Sequence, residues 1–169
     1  WADSPASGPL GEKIADFSLR DFRGQQVSLS DFKQDVLVVA FLGTECPLAK
    51  LYSKRLVELA EQYAEQGVGV LGINSNSQDS MTEIAAQVRI QEINFPMLKD
   101  AGSHVADSVG AERTPQVFLL DRERVVRYCG RIDDQYGVGT IREEPQRHDL
   151  QIAMDELLAG KSISVPSTR

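Results

Sequence analysis

The stretch VLVVAFLGTECPLAK, residues 36–50, joins an apolar run to a cysteine that is followed at once by a proline. The run Val36–Leu42 is rich in β-branched residues, as expected for a central strand that is buried on both faces. Pro47 suits the first position of a helix, because the N–H that it lacks is not needed there. The stretch therefore predicts a buried strand that leads directly into a helix, with Cys46 at the junction.

The residues that follow complete a βαβ unit. Apolar residues at helical spacing come after Pro47, and Gly67 ends the predicted helix. VGVLGI, residues 68–73, predicts a second buried strand. We therefore expect Val36–Leu42 and Val68–Ile73 to be parallel neighbours in one sheet.

The flanking sequence predicts the rest of a single α/β domain over residues 11–160. Residues 161–169 are predicted to be an unpacked C-terminal tail. The further predicted elements are an N-terminal hairpin (14–32), a helical insert opened by a capping box (80–90), two strands (114–121 and 124–130) and a last helix (149–159).

Composition excludes several functional classes. The 18 Lys and Arg residues are scattered and the net charge is −7, so no nucleic-acid surface is expected. The longest apolar run is too short to span a membrane. His104 and His148 lack metal-ligand spacing, and two cysteines are too few for a disulfide scaffold. We therefore expect no metal and no cofactor; the sequence leaves the oligomeric state open.

The first ten residues, 1–10, are small and polar, with several Pro and Gly residues among them or directly after. This composition predicts either a linker or the mature N-terminus of an exported protein. Two locations stay open: export to the bacterial periplasm or cell envelope, and the cytoplasm.

Position gives Cys46 a chemical role. At a helix N-terminus the free backbone N–H groups and the helix dipole favour the thiolate, which is the nucleophilic form. The charge of Glu45 opposes this effect. The alternative is a small buried apolar residue, as most cysteines outside disulfides are.

Five segments carry a family resemblance: VLVVAFLGTECPLAK, GVGVLGINSN, FPMLKD, RTPQVFLLD and YCGRIDD. Together they resemble the peroxiredoxin-like branch (AhpC/TSA, redoxin) of the thioredoxin-like superfamily, over about residues 11–160. The resemblance implies a thioredoxin-like α/β fold, with a central mixed β-sheet flanked by helices, an N-terminal hairpin and a helical insert. It also implies thiol chemistry at the strand–helix junction.

The family's cysteine patterns match only in part. Cys46 matches the first, attacking cysteine of a thioredoxin C-x-x-C, but Ala49 stands in the second position. The peroxiredoxin pattern P-x-x-x-T-x-x-C falls on Leu42, Cys46 and Ala49, so its proline, threonine and peroxidatic cysteine are all absent. The resemblance thus implies one reacting sulfur without the usual resolving partner.

The resemblance also implies a substrate groove around Cys46. Thr114-Pro115 matches the cis-proline that faces the reactive cysteine in this fold; an ordinary proline at the start of a strand is the alternative. We expect Thr44, Pro47 and Gly130 to lie along the same groove.

Three further residues are weaker candidates. Cys129 comes just before Gly130 and is either a resolving thiol for Cys46 or a plain strand residue. Asp133 and Asp134 are adjacent carboxylates that can tune a proton or bind a cation, although such pairs more often cap a solvated loop.

Three hypotheses of function follow. The first is a thiol oxidoreductase in which Cys46 exchanges with a protein disulfide or with a small-molecule thiol or disulfide. The second is a thiol-dependent peroxidase with antioxidant activity, working through a sulfenic acid. The third is a redox-inactive domain that keeps the binding groove and has lost turnover, consistent with Ala49.

Overall fold

The computed structural model describes residues 10–137 and 139–169. Its strands are β1 (Ser18–Asp21), β2 (Gln26–Ser28), β3 (Val36–Phe41), β4 (Val68–Asn74), β5 (Met97–Lys99), β6 (Gln116–Leu120), β7 (Val126–Gly130), β8 (Tyr136–Gly137) and β9 (Thr140–Ile141). Its α-helices are α1 (Pro47–Tyr63), α2 (Met81–Ile90), α3 (His104–Val109) and α4 (Asp149–Leu158). Of the linker predicted at residues 1–10, all but Leu10 lies outside the described residues.

Seven strands form one mixed sheet in the order β2-β1-β5-β4-β3-β6-β7. The predicted parallel pairing of β3 with β4 is confirmed, with Val36 opposite Val68. β4 and β5 are also parallel, whereas the pairs β1–β2, β1–β5, β3–β6 and β6–β7 are antiparallel. The predicted N-terminal hairpin is therefore one edge of the sheet, and β3 lies at its centre next to both β4 and β6.

Both faces of the sheet are covered, which explains the unbroken apolar runs. Every residue of β3 is buried, and alternate side chains enter two different clusters. Val36, Val38 and Ala40 pack under α1, α2 and α4. Leu37, Val39 and Phe41 point to the other face and pack under α3 and the 3-10 turn Leu29–Asp31. A strand buried on both sides has no polar face, as its sequence indicated.

The residues that were predicted to begin and end the helices do so in the structure. Ser80 and Glu83 form both bonds of a capping box at the start of α2. Gly67 adopts a left-handed conformation with φ 82° after α1 and a short 3-10 turn, Ala64–Gln66. Both helices end within a few residues of their predicted bounds.

The prediction of an unpacked tail over residues 161–169 is wrong. The Cys129 N–H donates to the Pro166 carbonyl at 3.0 Å, and the Thr168 N–H donates to the Cys129 carbonyl at 3.1 Å. The pairing is parallel and extends the sheet beyond β7. An edge strand exposes unpaired backbone groups, and this polar segment satisfies them.

Candidate active site

Cys46, the cysteine predicted to react, lies between β3 and α1, directly before the first residue of the helix. Cys46 is the N-cap of α1, with extended backbone angles (φ −74°, ψ 117°), and Pro47 is the first helical residue. The first helical bond runs from the Lys50 N–H to the Cys46 carbonyl at 3.0 Å. Cys46 is half-buried, so its sulfur is held in place and still reachable.

The sulfur turns away from the helix. Its thiol donates a hydrogen bond to the Thr114 carbonyl oxygen at 3.2 Å, and it makes no capping bond to the N–H groups of α1. The N–H groups that are expected to favour the thiolate therefore make no hydrogen bond to this sulfur.

The peptide bond between Thr114 and Pro115 is cis, as predicted. The loop before it is fixed by Gln116, which is 3% exposed. Its side-chain oxygen accepts the N–H groups of Glu112 at 2.8 Å and Arg113 at 3.4 Å. Sequence reasoning missed Gln116, because a buried glutamine has no signature before its partners are known.

A cavity of about 260 Å³ opens beside the sulfur. Its lining includes Phe41, Gly43, Cys46, Asn76 and Thr114. The lining combines apolar side chains, such as Phe41, with polar ones, such as Asn76. A larger cavity of about 580 Å³ lies between β7 and the C-terminal segment and does not include the cysteine.

One wall of the Cys46 cavity is organised by Asp100, which is 1% exposed. Its carboxylate accepts the Val105 and Ala106 N–H groups at 3.1 and 2.9 Å and the Ser75 hydroxyl at 2.8 Å. This residue ties the end of β4 to the first turn of α3. No local sequence pattern indicates this role of Asp100.

Two predicted groove residues lie around the cavity but do not line it. Thr44 is 5% exposed and faces a second cavity of about 250 Å³, which also includes Glu45 and Gln87. Pro47 is exposed at the start of α1. The loop before Cys46 thus separates two cavities, with Gly43 on one side and Thr44 on the other.

Gly130 does not form an open part of the groove. Its φ is +149°, and a β-carbon there would lie 2.2 Å from Thr168 Oγ1 and 2.6 Å from the Thr168 carbonyl oxygen. Thr168 also bonds to the Tyr128 hydroxyl at 2.7 Å and to the Arg131 N–H at 2.9 Å. The C-terminal segment lies against Gly130, and Gly130 does not line the Cys46 cavity.

The two cysteines belong to opposite faces of the sheet. Cys46 packs against the cluster under α1, α2 and α4. Cys129 is 2% exposed and lies in the cluster under α3. No disulfide joins these two described residues.

Asp133 and Asp134 have structural partners away from the cavity. Asp133 is 1% exposed, forms an ion pair with Arg55 and accepts the Tyr52 hydroxyl at 2.7 Å. The backbone N–H of Arg147, at 3.0 Å, holds the pKa of Asp134 below its ordinary value. Neither carboxylate lines the Cys46 cavity, so their predicted acid–base or cation role has no geometry to support it there.

The model of the AhpC/TSA family matches residues 10–129, which include Cys46 and the cis peptide bond. The chain belongs to the AhpC/TSA family. The hypothetical protein SMc02350 of Sinorhizobium meliloti is 38% identical, with 94% of this chain and 91% of that chain covered and a TM-score of 0.84.

Two further similarities place this AhpC/TSA chain among thioredoxin-like proteins. The thiol-disulfide oxidoreductase ResA of Halalkalibacterium halodurans is 27% identical over 66% of this chain, and the match spans 62% of that relative's length. The thioredoxin domain of a thiol-disulfide oxidoreductase from Bacteroides vulgatus shares the fold, with a TM-score of 0.68 at 16% identity and coverage of 88% and 97%. The thioredoxin-like fold is therefore confirmed.

Over residues 10–137 and 139–169, no group of three or more His, Cys, Asp and Glu side chains could hold a metal ion. Within the same ranges no helix has both the length and the apolar character needed to cross a membrane.

Proposed function

We propose that this AhpC/TSA chain is a thiol–disulfide oxidoreductase that works through one cysteine, Cys46. The observation that carries the proposal is the 3.2 Å bond between the Cys46 sulfur and the Thr114 carbonyl beside an open cavity. The sulfur thereby faces a backbone segment that can bind an extended substrate. Relatives named thiol-disulfide oxidoreductase ResA support the same class of reaction.

The reaction needs two exchange steps. The Cys46 thiolate attacks one sulfur of a substrate disulfide, forms a mixed disulfide and releases the other substrate sulfur as a thiolate. A second thiolate then attacks the mixed disulfide and restores the Cys46 thiolate, so that the electrons come from the second thiol. Because Ala49 occupies the usual resolving position, we propose that this second thiol is external.

The substrate is proposed to be a protein disulfide or a small-molecule disulfide. Asn76, Arg113 and Thr114 bring hydrogen-bonding groups to the cavity, which suits a peptide backbone or a polar thiol compound. The domain bounds of residues 11–160 and the choice between export and the cytoplasm stay predictions.

Steady-state turnover tests the requirement for an external thiol. The protein is mixed with a small disulfide and with increasing concentrations of glutathione, and disulfide reduction is followed. We expect the rate to rise in proportion to glutathione over the low range, because resolution is bimolecular. Single-turnover release of substrate thiol with no added thiol, at two equivalents per protein, would instead show that Cys129 resolves the intermediate.

A thiol-dependent peroxidase is the second candidate, because the sequence resembles the peroxiredoxin-like branch, which includes peroxidases. Ala49, at the place of the peroxidatic cysteine, is fully buried and has no sulfur. Peroxide chemistry would therefore also have to use Cys46, and the rate of its reaction with hydrogen peroxide distinguishes the two functions.

A further inference from the structure

Three charged side chains line the cavity beside Cys46. Asp107 comes from α3, and Glu112 and Arg113 come from the loop that leads to Thr114. The cavity volume of about 260 Å³ equals that of a sphere roughly 8 Å across, which is about the distance over which salt screens charges at physiological ionic strength. A charged group on a substrate in this cavity therefore interacts with all three side chains while the substrate sulfur meets Cys46.

The charges of this lining are unbalanced. None of the ion pairs formed among residues 10–137 and 139–169 includes Asp107 or Glu112. The Arg113 guanidinium donates to the Thr168 carbonyl at 3.2 Å, which is a neutral acceptor in the C-terminal segment. The lining therefore carries two formal negative charges and one positive charge, and the negative sign is in excess.

Two carboxylates next to the lining each have a cation beside them. Glu45 forms an ion pair with Lys50 at 3.8 Å. Behind the loop that leads to the cysteine, Asp79 is 3% exposed and accepts the Thr44 N–H at 2.9 Å. The Lys99 ammonium donates to the Asp79 carbonyl at 2.8 Å. These neighbours therefore add no net charge to the cavity.

Two more charged residues adjoin the cavity, and they are opposite in sign. The buried carboxylate of Asp100 holds the first turn of α3. Arg169 follows Thr168, the residue that contacts Arg113. With the exposed His104 counted as neutral, these neighbours leave the negative excess of the lining in place.

We infer that the cavity selects disulfides that carry positive charge next to the sulfur, either a protein disulfide flanked by lysine or arginine or a small disulfide with amino groups. Asp107 and Glu112 are the specificity-determining residues, because their field attracts a cation and repels an anion that approaches Cys46. Both side chains are exposed, so the effect is modest and depends on salt. The inference rests on the proposed exchange at Cys46 and names its substrate class.

Small disulfides of similar shape and different charge test the selection. Cystamine carries ammonium groups, hydroxyethyl disulfide is neutral, and dithiodipropionate carries carboxylates. The Cys46 thiolate attacks one sulfur, the other sulfur leaves as a thiolate, and the mixed disulfide on Cys46 is quantified by peptide mass spectrometry. Each rate is divided by the rate of the same disulfide with mercaptoethanol, which removes differences in intrinsic reactivity.

The quantity compared is the cation preference, defined as the normalised rate for cystamine divided by that for dithiodipropionate. A change in the ionisation of Cys46 affects both rates equally and cancels from this ratio. We expect a preference of about fivefold at low ionic strength, because attraction and repulsion between unit charges about 8 Å apart in water differ by enough for this factor. It should fall below about twofold in about 0.5 M salt.

Variants assign the preference to the lining. Asp107→Asn and Glu112→Gln should each lower it, and the double variant should bring it below one because Arg113 is then the charge that remains. Arg113→Gln should raise it. Glu123→Gln is the matched control: it removes an exposed carboxylate from the turn between β6 and β7, at the opposite end of β3 from Cys46, and should leave the preference within about 1.5-fold of the wild type.

Three results would overturn the inference: a wild-type preference of one, an unchanged preference in the double variant, or a change in Glu123→Gln as large as in the single variants. Model peptides with lysine or glutamate on both sides of a disulfide-bonded cysteine distinguish the two sources of substrate. A lysine peptide that reacts faster than cystamine indicates a protein disulfide, and the reverse order indicates a small one. A glutamate peptide that reacts faster than the lysine peptide would also overturn the inference.

Alkylation separates this inference from the proposed function. Iodoacetate and iodoacetamide differ by one negative charge, release iodide when they react with Cys46 and need no disulfide. We expect the rate of iodoacetate relative to iodoacetamide to rise in the double variant. A protein that shows this rise and exchanges with none of the disulfides would refute the proposed function, whereas equal normalised exchange with all of them would refute the inference alone.

Discussion

The thiol of Cys46 donates a hydrogen bond to the carbonyl oxygen of Thr114 at 3.2 Å, across 68 positions of the chain. The bond joins the start of α1 to the residue before the cis-proline. It leaves the sulfur at the edge of a cavity and gives it a backbone acceptor while it is protonated. In the proposed disulfide exchange, a substrate chain that reaches this sulfur would pass beside Thr114.

The first prediction concerns hydrogen peroxide. Fast peroxide cleavage requires donors that hold the peroxide and stabilise the departing oxygen. Arg113 lines the cavity, but its guanidinium donates to the Thr168 carbonyl at 3.2 Å. We therefore expect Cys46 to react with peroxide within about tenfold of a free thiolate, a difference of ~1.36 kcal/mol in the barrier. Stopped-flow oxidation, with a small thiol as reference, measures the rate; a value a hundredfold higher or more would favour the peroxidase.

The second prediction concerns the ion pair of Asp133. Arg55→Ala leaves a buried carboxylate without its cation and should cost about 3–5 kcal/mol of unfolding free energy. The exposed pair of Arg122 with Asp35 is the control, and Arg122→Ala should change the unfolding free energy far less, because water screens this pair. Urea unfolding measures both values.

Neither change should alter the alkylation rate of Cys46 while the protein is folded, because neither pair lines its cavity. A tenfold loss of that rate in folded Arg55→Ala would show that the Asp133 ion pair does affect the reactivity of Cys46.

The third prediction concerns the C-terminal segment. Gly130→Ala places a methyl group within 2.8 Å of three Thr168 atoms, two of them backbone. We expect the segment to leave β7, with faster proteolysis after Lys161 and a loss of about 1–3 kcal/mol in stability. Gly139→Ala is the matched control, since Gly139 also has a positive φ, +72°, and a β-carbon there meets nothing within 4 Å. Equal proteolysis of the two variants would contradict this packing.

Most of the fold could be predicted from local patterns. The apolar runs of β3 and β4, the capping box at Ser80 and the glycine after α1 each act through near neighbours in sequence. The tail could not be predicted, because Thr168 is ordered by Tyr128 and Gly130, about 40 positions earlier.

Local patterns likewise predict only some of the residues of the candidate site. Cys46 and Pro115 have recognisable local contexts, and the structure brings them together. Asp79, Asp100 and Gln116 act by accepting backbone N–H groups, and any polar residue in a loop has the same appearance in sequence. The face on which Cys129 lies could not be predicted either, because a register shift between Leu119 and Leu120 breaks the alternation along β7.

The fourth prediction is a dependence of stability on pH. The pKa of Asp79 in the folded protein is lower than its ordinary 3.8, because hydrogen bonds and Lys99 outweigh the effect of burial. The stabilisation from its ionised form is therefore complete above pH 3.8 and is lost as the pH falls through the folded-state pKa. Asp79→Asn should be less stable than the wild type at pH 7, and the gap should narrow towards pH 2. Thermal unfolding of both proteins across this range checks the trend; a gap that widens in acid would show the opposite sign.

The central claim is that Cys46 is the exchanging thiol, and trapping of its mixed disulfide tests it most directly. The reduced protein is mixed with an excess of oxidised glutathione, quenched in acid and mapped by peptide mass spectrometry. We expect one glutathione on Cys46 in the wild type and in Cys129→Ser, and no adduct in Cys46→Ser. Trapping that persists in Cys46→Ser and disappears in Cys129→Ser would contradict the claim and make Cys129 the working thiol.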